Sequence, residues 1–236
     1  LNYLKKKLTL HYKSIILLLS ITSCNLATQS YVQPTSNINI TNALTDDEAV
    51  SNMITPYKKG MSKAMNEVIG FCPAFLEKEK PSSILGSFMA EATLQAAAST
   101  GEKVDFCLLN YGGIRSTLDS GYITIGEVFE IMPFENEITI LTLSKAQMDT
   151  LYTVIAKKGG EPFANRNWQE KTTNHKANSA SFRLVTNDYM ANGGDNYTIL
   201  THAKERIDTG IKIRDGLITY IKAHNPLPLI YTPSIN

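Results

Sequence analysis

Three short stretches hold the residues whose types and spacing could do chemistry: "NYGGIR" (110–115), "IMPFEN" (131–136) and "NDYMANGGDN" (187–196). In the first, Gly112 and Gly113 follow the apolar run "VDFCLLN". Paired glycines let a ligand approach the backbone closely, or turn the chain through positive φ. Arg115 offers planar, charge-assisted donors suited to phosphate. Asn110 offers a donor and an acceptor, suited to the edge of a base. In the second, Phe134 follows Pro133 and precedes the polar pair Glu135 and Asn136. In the third, the pair Gly193 and Gly194 leads into Asp195, with Tyr189 just upstream. Taken singly, each has a plain reading: a turn, a surface arginine, a core phenylalanine. The glycine loop lacks the Gly-Lys-Ser/Thr ending of a Walker A loop. No serine sits in a nucleophile-elbow context. The histidines are His11, His175, His202 and His224, and none is flanked by the acids that a dimetal site needs.

These stretches need elements to hold them. "DDEAVSNMITPYKKGMSKAMNEVIG" has helical spacing, with Pro56 interrupting it or opening a second segment. "SSILGSFMAEATLQAAASTG" reads as a helix from Ser83, stopped by Gly101. "VDFCLLN" reads as a buried strand. "TIGEVFEIM" opens with a capping box of Thr124 and Glu127. "NEITILTL" alternates, as a strand with one covered face would. "SKAQMDTLYTVIAKKGG" is a helix capped by Ser144, with Met148, Leu151 and Ile155 on one face and Gly159 at its end. "ASFRLVTNDYM" and "YTIL" read as strands, and "IRDGLITYIKAHNP" as a closing helix. The class is α+β, with a mixed sheet flanked by helices.

The N-terminus reads as an export signal. A basic stretch "KKKLTLHYK" precedes the apolar "SIILLLSI", which is too short to span a bilayer and fits a signal peptide. "ITSC" then resembles a bacterial lipobox, which makes Cys24 the expected acylation site and lipid anchor. The expected organisation is a signal peptide over 1–23, a polar tether over 24–45 and one domain over 46–236. This makes the protein exported and lipid-anchored to a bacterial membrane. The first 23 residues carry four lysines and no acid, so the net charge of +1 hides a mildly acidic remainder. Such a balance does not point to nucleic acid. Cys72 and Cys107 are too few for a disulfide framework. Cys107 reads as a buried small hydrophobe, and a bridge between the two is open.

Together, "NYGGIR", "GYITIGEVFEIMPFEN" and "ANGGDNYTIL" resemble the signature of the C-terminal domain of 5′-nucleotidases and UDP-sugar hydrolases. The resemblance runs from about Glu48 to Pro226 and takes in "PSSILGSFMAEA" and "DTGIKIRDGLITYIKAH". It implies a domain that holds the nucleotide while another part cuts it. By motif, Phe134 and Tyr189 would sandwich the base, Asn110 would meet its edge, Asp195 would take the ribose hydroxyls and Arg115 the phosphate. Gly112, Gly113, Gly193 and Gly194 would bring the backbone close, and Asn136 is a further candidate. Where the family has phosphate-binding arginines upstream of the "SSILGSFMAEA" helix, this chain has Lys78 and Lys80. Hydrolysis in the family resembles other two-metal phosphoesterases, and its metal-binding motifs do not occur in this sequence. The resemblance therefore implies no cofactor in this chain, and divalent metals in a partner metallophosphoesterase subunit. The other reading is a nucleoside- or nucleotide-binding lipoprotein with no chemistry of its own.

Overall fold

A computed structural model describes residues 41, 44–165 and 181–229. Cys24, the signal segment, most of the tether and His175 lie outside them. The chain divides into a unit of Leu1–Glu48 and a compact unit of Ala49–Asn236. The elements are α1 (Glu48–Met65), β1 (Val68–Cys72), α2 (Ile84–Ala98), β2 (Phe106–Leu108), β3 (Gly121–Thr124), α3 (Ile125–Ile131), β4 (Glu137–Ser144), α4 (Lys145–Lys157), β5 (Phe163–Asn165), β6 (Ser181–Asn187), α5 (Asp188–Ala191), β7 (Glu205–Lys212) and α6 (Ile213–Ala223). β1 and β3 form a small antiparallel pair. The other strands form one sheet in the order β5-β2-β6-β4-β7. In it β2 and β6 are parallel and every other neighbouring pair is antiparallel. The mixed sheet flanked by helices is therefore the observed architecture.

Both faces of that sheet are covered, which is why its central strands read as nearly continuous apolar runs. On β2, Cys107 turns to the core with Leu85, Phe88 and Leu217 of α2 and α6. Its neighbours Phe106 and Leu108 turn to the opposite core, with Met148, Leu151 and Ile155 of α4. On β4, Ile138 and Ile140 face the first core and Leu141 and Leu143 the second. The expectation of one covered face for β4 is thus corrected. The polar residues in its alternation are threonines whose hydroxyls are satisfied across the strand. Thr139 donates to Asp208 (2.9 Å) and Thr142 to Glu205 (3.0 Å), so both can be buried.

Local signals fix the helix starts. Ser83 caps α2 by accepting from the Gly86 N–H. Thr124 and Glu127 form the expected capping box of α3. Ser144 caps α4 through a second box with Gln147.

Four segments differ from the sequence reading. α1 runs through Pro56 without a break, and no residue of it is buried, so solvent can serve the carbonyl that proline leaves without a donor. "VIG" belongs to strand β1 rather than to a helix. "YTIL" forms a 3₁₀ turn over Thr198–His202. "NDYM" leaves the strand at Asn187, whose side chain accepts from the Met190 N–H and starts α5. Cys72 and Cys107 are both buried and unbridged. Burial pushes the Cys107 thiol well above the usual range, as suits an inert core residue. No helix among the described residues is long and apolar enough to cross a membrane.

Candidate functional site

The site is built at one end of the main sheet, from three loops that leave β2, α3 and β6. After β2 the chain enters a 3₁₀ turn over Tyr111–Gly113, with Asn110 in extended conformation before it. Gly112 and Gly113 do not use positive φ, which corrects the simple turn reading. At Gly113 the requirement is space: an added Cβ would stand 3.0 Å from the Asn110 side-chain oxygen.

Asn110 is the hub. It is buried, and its amide bridges two distant segments. Its Nδ2 donates to Asp195 Oδ2 (2.8 Å), and its Oδ1 accepts from Asn187 Nδ2 (3.0 Å). Asp195 follows a reversal in which Gly193 lies at φ 87 and Asp195 and Asn196 at φ 52 and 64. Asp and Asn are the non-glycine residues that tolerate this region best. The Tyr189 hydroxyl donates to Asp195 Oδ1 (3.0 Å) and accepts from the Asp195 N–H (3.1 Å). The Tyr189 ring rests on Gly194, where a Cβ would come within 2.5 Å of ring atoms. Gly194 thus makes room for the tyrosine rather than for a ligand.

The remaining candidates join this cluster from the other side. Arg115 donates to the Gly112 carbonyl (3.3 Å), and its guanidinium lies 5.9 Å from the Phe134 ring centroid. Asn136 donates to Asp188 Oδ1 (2.7 Å), which also accepts from the Tyr189 N–H (2.9 Å). So the Phe134 loop reaches Tyr189 through Asn136 and Asp188, and Arg115 ties it to the Gly112 carbonyl of the first loop. Phe134 and Tyr189 remain 42% and 46% exposed, so both rings face solvent rather than the core. All ten candidates fall in one neighbourhood. Asn110 is a structural bridge as well as a candidate contact, and Asn136 acts on the site through Asp188.

Residues 64–151 match the family described as 5′-nucleotidase, C-terminal domain. That stretch is similar to a 5′-nucleotidase C-terminal domain. A 5′-nucleotidase of Vibrio parahaemolyticus is 24% identical over 211 residues, which cover 81% of this chain but only 37% of that relative. Among solved structures, a 5′-nucleotidase precursor of Thermus thermophilus superposes with a TM-score of 0.62 at 22% identity, covering 78% of this chain and 42% of that one. The NAD nucleotidase of Haemophilus influenzae superposes with a TM-score of 0.54 at 16% identity, over 80% of this chain and 41% of that one. The chain thus spans well under half the length of the relatives it matches.

Several residues of this domain support the site without being apparent in its motifs. Arg214, buried at the start of α6, lies 3.8 Å from the Phe129 ring centroid. It donates to the Met132 and Phe134 carbonyls (3.4 Å each) and pairs with Glu135. That hydrogen bond and charge hold the Glu135 carboxyl below its usual range. Arg214 therefore fixes the loop that presents Phe134. Lys78 donates to the Ile114 carbonyl (2.7 Å) and lies 4.7 Å from the Tyr111 ring centroid; Lys80 lies 5.1 Å from the same ring. The "FLEKEK" segment thus lays two cations against the "NYGGIR" loop. Among the described residues, no three of His, Cys, Asp and Glu converge as a metal ion would require. These residues do not fit a dimetal centre, and no metal-assisted step is assigned to them.

Proposed function

We propose that this domain holds a nucleotide for a 5′-nucleotidase-type hydrolysis whose metals belong to a separate metallophosphoesterase subunit. The observation that carries the reading is the pair of exposed rings beside one hydrogen-bonded cluster, Tyr189 held by Asp195 and through it by Asn110, and Phe134 beside Arg115. A flat heterocycle stacks on either ring irrespective of base identity. Asp195 stands beside Tyr189 to accept from ribose hydroxyls, its lone pairs outnumbering the side-chain donors that already reach it. Arg115, with Lys78 and Lys80 set against the same loop from the "FLEKEK" segment, supplies positive charge for the phosphate tail.

One further observation supports a partner. α1 carries Val50, Met53, Tyr57 and Met61 exposed on one face, an apolar stripe of the kind that marks a protein contact. Cys24, acylated, would tether the assembly to the membrane of a bacterial envelope, with nucleotides as its exported-side substrates.

The test is affinity capture of the native protein, followed by phosphate release from nucleotides with and without divalent metal. Metal-dependent release by the captured assembly is the expected result. Binding of adenosine and AMP with no release under any condition would instead assign a binding lipoprotein without chemistry, and binding of neither would remove the reading. Within it, Arg115→Ala is expected to weaken AMP by about 1.5–3 kcal/mol, the worth of a charge-assisted hydrogen bond, and adenosine far less. Calorimetry with the two ligands checks this, and equal losses for both would contradict a phosphate contact.

A further inference from the structure

We propose that Glu161 is a positioning residue that locks the two ligand-facing loops together, one carboxylate holding the Asn110–Arg115 loop through a backbone amide and the Gly193–Tyr197 loop through a tyrosine hydroxyl. The ligand named in its test rests on the nucleotide-holding reading above; the clamp rests on geometry alone. Glu161 is 6% exposed and lies just before β5. Its Oε2 accepts from the Tyr111 N–H (2.5 Å), and its Oε1 accepts from the Tyr197 hydroxyl (3.0 Å). Tyr197 is fully buried, so its hydroxyl needs a protein partner.

Tyr111 is the neighbour of Asn110, and Tyr197 stands two residues after Asp195. The same two loops meet directly at the Asn110–Asp195 hydrogen bond (2.8 Å). They are therefore tied at two points, once at the front by Asn110 and once behind by Glu161. A loop held at one point can swing about it, whereas two ties fix its angle. That angle sets where Asp195 and Tyr189 stand relative to Arg115, because Asp195 binds the Tyr189 hydroxyl and Gly112 lies against the Asn110 amide.

Glu161 faces Lys80 and Lys158, which favour its charged form, and Tyr197, itself beside Asp195. Burial outweighs the lysines and raises the carboxyl above its usual range. Both protonation states can hold the clamp. The carboxylate accepts from both donors; the neutral acid still accepts from Tyr111 and gives its own proton to the Tyr197 oxygen. Glutamine can do the same with its oxygen and its amide N–H. Because the folded pKa lies above the unfolded one, the associated stability is complete at acid pH and is lost as pH rises through the raised value. Glu161→Gln removes that loss while keeping the clamp.

The experiment compares Glu161→Gln, Glu161→Ala and Tyr197→Phe in the full chain, using calorimetry with adenosine and AMP, amide exchange of residues 110–115 and 193–198, and thermal unfolding against pH. Glu161→Gln is expected to bind both ligands within about twofold of wild type and to lose less stability than wild type as pH rises. Glu161→Ala is expected to lose about tenfold or more for both ligands, with exchange protection falling in both loops together. Equal losses in Gln and Ala, unchanged binding in Ala, or loosening of one loop only would each overturn the clamp. If Glu161→Ala does not fold, Tyr197→Phe decides, since it deletes one oxygen: faster exchange over 193–198 supports the clamp and unchanged exchange overturns it. If wild type binds neither ligand, the nucleotide reading fails, and the exchange measurements still judge the clamp.

Discussion

Phe134→Ala and Tyr189→Ala are each expected to weaken adenosine binding by about 1–3 kcal/mol, or roughly 5- to 150-fold, measured by calorimetry. Neither ring fills a core position: both are more than two-fifths exposed, so their loss opens no cavity and the fold stays intact. The two substitutions differ in what else they remove. Tyr189→Ala also takes away the hydroxyl that holds Asp195. Tyr189→Phe separates the effects, since the ring remains to stack while the two hydrogen bonds go. It is expected to cost about 1 kcal/mol, the net worth of a hydrogen bond in a partly solvated place. The pair is expected to be non-additive if both rings hold the same heterocycle, because removing one leaves the other to stack alone on a base free to shift. A double variant that binds adenosine as wild type does would exclude the sandwich.

That prediction uses residues apparent in the sequence, and the reason is local. Singly these residues have plain readings, but three short stretches, each carrying its residues close together and two of them punctuated by paired glycines, resemble a family signature when taken in order. Both capping boxes are equally legible, because Thr124–Glu127 and Ser144–Gln147 each close over three residues. β2 is legible because burial on both faces leaves no polar alternation. What could not be read depends on distant segments. β7 went unread because it is an edge strand with polar, largely exposed positions and a glycine at φ 72, all of which mask a strand pattern. "YTIL" is a short apolar run, and periodicity cannot tell such a run from a 3₁₀ turn. A signal for α5 was present in Asn187-Asp188, a cap followed by an acid in the first turn. The supports of the site are the least legible. Glu161, Asn187 and Arg214 act on loops 50, 77 and 80 residues away, and nothing in their own neighbourhoods declares it.

Gly160→Ala is expected to destabilise the domain by roughly 3–5 kcal/mol, lowering Tm by about 10 °C. Gly160 lies at φ 95, outside the comfortable range of a residue with a Cβ, which alone costs about 1–3 kcal/mol. Space adds to this. A Cβ there would stand 2.2 Å from the Pro81 carbonyl oxygen and 2.7 Å from its Cα. These are backbone atoms of the segment that leads into α2, so relief requires moving that segment or the end of α4. Gly101→Ala is the control. Its φ is 88 and nothing lies within 4 Å of the added Cβ, so it is expected to show the backbone cost without the collision. The difference in Tm between the two variants isolates the contact with Pro81. Gly160 also precedes Glu161, so the displacement carries to the carboxylate between Tyr111 and Tyr197. Adenosine affinity is therefore expected to fall in Gly160→Ala at temperatures where the protein is still folded, and to stay near wild type in Gly101→Ala. Equal stability in the two variants would mean that the approach of Pro81 is relaxed at no cost. Unchanged affinity in a destabilised Gly160→Ala would mean that the ligand-facing loops do not depend on the backbone that carries Glu161.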